Sequence, residues 1–285
     1  MPRAQGAAQI CPIAICERRQ QAATQSGWHG IQLAMTGYDP TLYALVHCGN
    51  PGDAAFYENA VSGAQAVLEL GCGFGRLIPA LSSASARYVG LDLDAGLLLL
   101  AATARKALPP EQRARVTLRE GDMRSFTMRT RFDRIVIPHS GLYCLQSEAD
   151  VLKCLRRVRA QLRDDGELVL DAYNADDFHV ALEESSMTGG ERDWVKQVAL
   201  DGTRYEVFER TLWRKAKQQL LVSYEYQVND GVQWRGRIRH RYLLRAQLES
   251  LLARAGLKPT LIAGSFKGTR WTRRSEHLVL RARPL

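Results

Sequence analysis

The chain has no long apolar run. Its longest, Leu97–Ala102, falls far short of the roughly 18 residues that cross a bilayer as a helix, so no membrane-spanning segment is expected. The opening residues hold no uninterrupted apolar segment either, because Gln9 and Pro12 break it. That argues against a secretory signal and for a cytoplasmic location. Cysteine is sparse: Cys11, Cys16, Cys48, Cys72, Cys144 and Cys154 form no CxxC pair, and no histidine is spaced to complete a zinc site. No metal is expected, and reduced, mostly buried thiols are. Internal repeats are also missing.

Acidic residues are scarce in the last third. From Asp201 to Leu285 there are 18 Lys and Arg against 7 Asp and Glu, whereas the rest of the chain is slightly acidic. Arg235, Arg237, Arg239 and Arg241 alternate at strand period, which could put four guanidinium groups on one sheet face, as an anion site or as a solvated surface.

Short apolar runs alternate with helical stretches in the middle of the chain. Ala66–Leu70, Tyr88–Leu91, Val116–Leu118, Asp133–Ile137 and Glu167–Ala172 read as strands. Helices are expected around Asp53–Val61, Arg76–Ser82, Leu97–Ala107 and Glu148–Leu162, the last with Val151, Leu155 and Val158 at helical spacing. Such alternation implies a mostly parallel sheet covered by helices on both faces. After Asn174 the period changes to that of strands, over Trp194–Leu200, Tyr205–Trp213, Leu220–Val228 and Val232–Leu243. Asp201-Gly202 and Asn229-Asp230-Gly231 stand between them as tight-turn signals. A helix over Gln247–Ala255 and strands near Thr260–Ala263 and His277–Arg281 close the chain. The organisation expected is a tail or lid over 1–27, an α/β core over 28–174 and 244–285, and an inserted antiparallel cover over 175–243.

The informative segment is Val67-Leu68-Glu69-Leu70-Gly71-Cys72-Gly73-Phe74-Gly75-Arg76, a strand entering a glycine-rich turn and then a helix. Glycine lets the backbone come within contact distance of a ligand, and amides at a helix start offer donors to polar or anionic groups. A dinucleotide fold would place glycine where Arg76 stands, and the Gly-Lys of a phosphate loop is absent. The remaining pattern, E-x-G-x-G-x-G, resembles that of the class I S-adenosylmethionine-dependent methyltransferases, in their small-molecule branch. Four more matches follow in order: Val89-Gly90-Leu91-Asp92, Gly121-Asp122-Met123, Phe132–Ile137 leading to Pro138-His139-Ser140, and Gly166–Asp171. The resemblance covers roughly Tyr38 to Asn174 and resumes from Tyr242. It implies a Rossmann-like fold with a seven-stranded, mostly parallel sheet and a small inserted antiparallel sheet.

The resemblance also implies residue roles. Asp92, 21 residues beyond Gly71, would bind the ribose hydroxyls, and Asp122 would meet the adenine amino group. Gly71 and Gly73 would face the methionine and ribose portions, with Cys72, Leu93, Met123 and Pro138 along the cofactor. Glu69 would fix the loop or the amino group. Tyr38, in a Tyr-Asp-x-x-Tyr segment like an N-terminal lid, and Arg76 are candidates for the cofactor carboxylate. His139 is the candidate catalytic residue, as a general base for a hydroxyl or as a positioning group for an amine. Ser140, Tyr143, Tyr173, Arg239, Arg241 and Tyr242 are candidates for the acceptor, which would be anionic if the arginines meet it. The expectation is methyl transfer to an amine or hydroxyl of a small molecule. An RNA or protein methyltransferase is the alternative, with a non-catalytic cofactor-binding protein behind it. Nucleic acid is disfavoured, because no Asn/Asp-Pro-Pro-Tyr signature follows the fourth strand and no RNA-binding module is appended. Oligomeric state is open, a homodimer included.

Overall fold

A computed structural model describes residues 38–184, 192–229 and 231–285. The expected tail or lid over 1–27 lies outside the described residues, as do Cys11, Cys16 and Asp230. Among the described residues, no helix is long and apolar enough to cross a membrane.

Two compact units form. The first comprises residues 48–177 and 241–285. Its helices are α2 (Asp53–Val61), α3 (Ile78–Ala84), α4 (Ala95–Lys106), α5 (Pro110–Ala114), α6 (Glu148–Gln161) and α8 (Arg245–Arg254). The strands are β1 (Val67–Leu70), β2 (Tyr88–Asp92), β3 (Val116–Glu120), β4 (Phe132–Ile137), β5 (Leu162–Tyr173), β10 (Leu257–Ala263) and β11 (His277–Pro284). They make one sheet in the order β10-β11-β5-β4-β1-β2-β3. Neighbours from β5 to β3 run parallel, while β11 is antiparallel to both β5 and β10.

The two-residue period of the strands explains the layering. Val67, Tyr88, Val116, Val136 and Val169 share one face with Tyr57, Val61, Leu77, Ile78, Leu81 and Ala101 from the helices. Leu68, Leu70, Ile135, Ile137, Leu168 and Leu170 alternate onto the other face and are equally buried. All of β1 is therefore closed to solvent, which is why it reads as an unbroken apolar run apart from Glu69. The helix expected from Arg76 begins instead at Ile78, because the glycine turn runs further and Pro79 suits the first helical turn. Ser147 starts α6 by accepting the Asp150 amide at 3.1 Å, and Gly256, with φ 78°, follows α8 as expected for a helix stop.

The second unit includes residues 38–47 and the described part of 178–240. Helix α1 (Pro40–Val46) starts where the Asp39 carboxylate accepts the Thr41 and Leu42 amides at 2.9 and 3.0 Å. The short helix α7 (Asp176–Ala181) carries the chain across from the first unit. Strands β6 (Asp193–Leu200), β7 (Thr203–Arg214), β8 (Gln219–Val228) and β9 (Gly231–Arg241) form a four-stranded sheet in sequence order. Asp201 and Gly202, with φ of 50° and 77°, make the tight turn their residue types suggested. Residues 38–47 thus group with this sheet, and not with the α/β core in which the sequence reading placed them. Of the four described cysteines, Cys72 and Cys154 are buried but Cys48 and Cys144 are exposed, which corrects the expectation of mostly buried thiols.

Candidate active site

The glycine turn leaves β1 on left-handed backbone, with φ of 75° at Gly71, 54° at Gly73 and 82° at Gly75. The amides of Gly71 and Cys72 donate to the Leu91 carbonyl at the end of β2, at 2.8 and 3.0 Å. Asp92 continues the clamp. Its Oδ2 accepts the Gly73 amide at 2.6 Å and its Oδ1 the Asp94 amide at 2.9 Å. The three glycines differ in what surrounds them. A β-carbon on Gly75 would sit 2.5 Å from Ile78 Cδ1 and 3.1 Å from Ala101, so this glycine lets α3 and α4 approach. At Gly73 a β-carbon would meet nothing within 4 Å, and at Gly71 only Met123 Cε at 3.7 Å. The first two glycines therefore line open space. Leu93, at 65% exposure, stands beside them as an uncovered apolar side chain.

Carboxylates gather around this turn. Glu69 is buried in β1 and its Oε2 accepts the Tyr88 hydroxyl at 2.6 Å. Burial pushes Glu69 up to about 7, although Tyr88 and the nearby Arg76 favour its ionised form. Arg76 itself is engaged: its Nη1 and Nη2 donate to the buried Asp53 at 3.1 and 2.7 Å. Gly49 leaves room for that guanidinium, since a side chain there would overlap it. Asp122 is more exposed, and Arg124 grips both of its carboxylate oxygens at 2.5–3.0 Å, holding it below the usual carboxylate range.

The far side of the edge is the segment after β4. Pro138 is buried, and His139 and Ser140 both take positive φ, 54° and 59°. The His139 amide donates to Asp171 Oδ1 at 2.8 Å. Burial, then the charges of Arg76 and His277, push the half-buried His139 imidazole down to about 4, so it is neutral at neutral pH.

Residues 67–166 match the methyltransferase domain family. Over 159 residues the chain is 29% identical to dTDP-3-amino-3,6-dideoxy-alpha-D-glucopyranose N,N-dimethyltransferase of Streptomyces fradiae, a match covering 53% of this chain and 59% of that relative. It is 26% identical to the cypemycin N-terminal methyltransferase of a Streptomyces species, over 75% of this chain and 81% of the relative. Among solved structures it resembles S-adenosylmethionine-bound CalS10, an amino pentose methyltransferase from Micromonospora echinaspora, with TM-score 0.62 and 19% identity over 90% of this chain and all of that one. Residues 67–166 are thus a methyltransferase domain by their family match, in a fold shared with CalS10.

Within the unit that carries the methyltransferase domain, the structure brings together Glu69, Gly71, Cys72, Gly73, Arg76, Asp92 and Leu93, with Asp122 and Met123 after β3 and His139 after β4. Several acceptor candidates are instead structural. Tyr143 is buried and its hydroxyl donates to the Leu243 carbonyl at 3.0 Å, while Tyr242 is fully buried. Ser140 Oγ accepts the Tyr173 amide at 3.1 Å, and the Tyr173 ring packs edge-on against Tyr143. Arg241 is half-buried in the same unit, and its buried Nη1 has no hydrogen-bond partner among the described residues. Tyr38 and Arg239 belong to the other unit. There the Tyr38 hydroxyl meets that of Tyr226 at 2.7 Å, its ring stacks on Tyr224, and Gly236 makes room for it. Arg239 lies with Arg235 and Arg237 on an exposed strand face.

Sequence reasoning missed Asp53, Tyr57, Asp171 and His277. Asp53 and Tyr57 sit in an ordinary-looking helix, and Asp171 lies near the end of β5, in an apolar run that hides it. His277 opens β11 opposite Tyr173, and its buried Nδ1 has no partner among the described residues. No spacing rule links these four to the glycine turn.

Proposed function

We propose that this chain transfers a methyl group from S-adenosylmethionine to the nitrogen of a small amine acceptor of the amino-sugar kind. The observation that carries the reading is the local charge of the glycine-lined edge. Glu69 lies within electrostatic reach of Asp92, Asp53 and Arg76, and Asp53 already neutralises Arg76. Excess carboxylate in a partly buried edge favours a bound cation. A sulfonium donor with its α-amino group is cationic, and an amine acceptor brings positive charge too.

The residues fit the donor. Open space beside Gly71 and Gly73 allows close backbone approach, the Asp92 carboxyl suits paired hydroxyls, and exposed Leu93 offers apolar cover for a flat ring. Asp92 would thus hold the ribose, Glu69 the amino group, and Leu93 and Met123 the adenine. Arg76 would contribute through Asp53. When bound, the donor would supply an electrophilic methyl group, with its sulfur departing as the neutral thioether.

For such a displacement the protein chiefly orients the nucleophile and excludes water. His139 is suited to the first task. A neutral imidazole can accept a hydrogen bond from the acceptor N–H and hold its lone pair in place. An imidazole pushed down to about 4 is a weak base, poorly matched to taking a hydroxyl proton at neutral pH. The relatives described above support the reading, since by name they methylate an amino sugar, the cypemycin N-terminus and an amino pentose. Arg241, with Nη1 unmatched, would meet an acidic group of the acceptor.

The test pairs each amino sugar of a panel with its hydroxyl counterpart and reads methylation by mass spectrometry. Amines should gain methyl groups and their hydroxyl counterparts should not. The rate should rise with pH through the amine's own ionisation, and that limb should persist in His139→Gln at reduced kcat. Methylation of the hydroxyl compounds alone would overturn the assignment.

A further inference from the structure

We infer that Asp171 and Tyr57 are a positioning pair for the acceptor edge, holding His139 in a backbone turn its own residues disfavour. The inference rests on the N-methyl transfer proposed above.

Consecutive positive φ values at a histidine and a serine are unusual. The β-carbon of an L residue crowds the following carbonyl in that region, which glycine and asparagine visit far more readily. Two such neighbours persist only where the surroundings impose them. Here the end of β5 does so. The Asp171 carbonyl accepts the Ser140 amide at 3.1 Å, and Asp171 Oδ1 accepts the His139 amide at 2.8 Å. One residue thus pins both strained amides. Ser140 completes the arrangement by accepting the Tyr173 amide on its Oγ.

Tyr57 fixes the carboxylate in turn. Its hydroxyl, fully buried in α2, donates to the same Oδ1 at 2.6 Å. The charged and titratable groups facing Asp171 are Tyr57 and Asp53 of α2, Arg76 after the glycine turn, the His139 segment and Tyr143 beyond it. Burial raises Asp171 to about 6, opposed by the donors from Tyr57 and His139 and by Arg76, and assisted by Asp53. At neutral pH it is ionised, and a carboxylate accepts these two bonds more strongly than a neutral acid would. The pair touches neither acceptor nor donor in this scheme. It acts through His139, whose neutral imidazole depends on the burial that the turn provides.

The experiment uses the full chain with Asp171→Ala, Asp171→Asn and Tyr57→Phe. Three quantities are read: S-adenosylmethionine affinity by calorimetry, kcat and KM on an amino-sugar acceptor, and the His139 imidazole titration by NMR. Asp171→Ala should lower kcat by about 10–100-fold, the scale of a small misplacement of a reacting group, with cofactor affinity unchanged. Its His139 titration should climb from near 4 towards the ordinary imidazole range. Asp171→Asn, whose amide oxygen can still accept both donors, should restore much of kcat, and Tyr57→Phe should fall between. A folded Asp171→Ala with wild-type kcat and an unmoved His139 titration would overturn the inference. If Asp171→Ala does not fold, the same two readouts in Tyr57→Phe decide it. A wild-type chain that binds no S-adenosylmethionine would sink the functional reading instead, and the His139 titration would still judge the positioning claim.

Discussion

Removing Asp53 asks whether Arg76 serves the fold or the ligand directly. The pair is desolvated: the side chains are 4% and 15% exposed, and the guanidinium fork meets both carboxylate oxygens at 3.1 and 2.7 Å. Asp53 Oδ2 also accepts the Asn50 amide at 2.9 Å, tying the loop before α2 to the same carboxylate. Asp53→Ala leaves a buried guanidinium without its counter-ion, a change that costs about 3–5 kcal/mol. That corresponds to a fall in Tm of roughly 6–20 °C for a protein of this size. Taking both charges out together, as Asp53→Leu with Arg76→Met, should recover most of the loss, because no unpaired ion then remains. Urea unfolding at constant m measures the stability, and calorimetry with S-adenosylmethionine measures the site. If Arg76 contributes only through Asp53 and the loop, a stable double variant should still bind the cofactor. A wild-type midpoint in Asp53→Ala would refute the buried-pair argument. A stable double variant with no cofactor affinity would return Arg76 to the cofactor carboxylate.

The strand–helix alternation was legible because β1, the end of β4 from Ile135 and β5 from Gly166 are buried on both faces, and such stretches are mostly apolar. The hairpin at Asp201-Gly202 was legible for a different reason, since its backbone needs residues that tolerate positive φ. Asp92 and the glycine turn declare themselves because a left-handed turn clamped by a carboxylate restricts residue type at fixed spacing. The support behind them does not. Asp53, Tyr57 and Asp171 come from α2 and β5, and their partnership exists only once the sheet order places those elements around His139. Tyr143 and Tyr242 show the converse. Their place after the fourth strand and before the last helix suggested a wet pocket, but a tyrosine can bury its ring and satisfy its hydroxyl on a backbone carbonyl. Cys144 is exposed at the end of the short 3-10 turn after β4, whose Leu142 and Tyr143 face the core.

The glycines should separate fold from ligand. Both positions are on left-handed backbone, which costs alanine about 1–2 kcal/mol. Gly75→Ala also meets Ile78 and Ala101 and should lose about 1–3 kcal/mol more in urea unfolding, whereas Gly73→Ala should lose only the backbone cost yet weaken cofactor binding. Equal stability losses at the two positions would refute that division. Asp92→Asn should raise the cofactor Kd by about 10–100-fold, the loss of one charge-assisted hydrogen bond, and unchanged calorimetric affinity would remove Asp92 from the site. Glu69 provides a test in pH. Its folded pKa, about 7, lies above the ordinary 4.5, so the folded state retains a proton that the unfolded chain releases. Below about pH 4.5 both states are protonated and the group contributes nothing to pH dependence. Between about pH 4.5 and 7 the unfolded state gains from ionising while the folded state does not, so stability falls as pH rises, by about 3 kcal/mol across the window. His139 has the opposite sign: with its pKa pushed down to about 4, it makes the fold less stable as pH drops from the ordinary imidazole value. The two effects overlap, so the measurement is the difference between wild type and Glu69→Gln, whose amide oxygen can still accept the Tyr88 hydroxyl. The difference between their unfolding free energies should slope across that window and level off on either side. A flat difference from about pH 4 to 8 would mean that Glu69 is ionised in the fold like any exposed carboxylate, and the electrostatic account of the acidic edge would then fail at its most buried member.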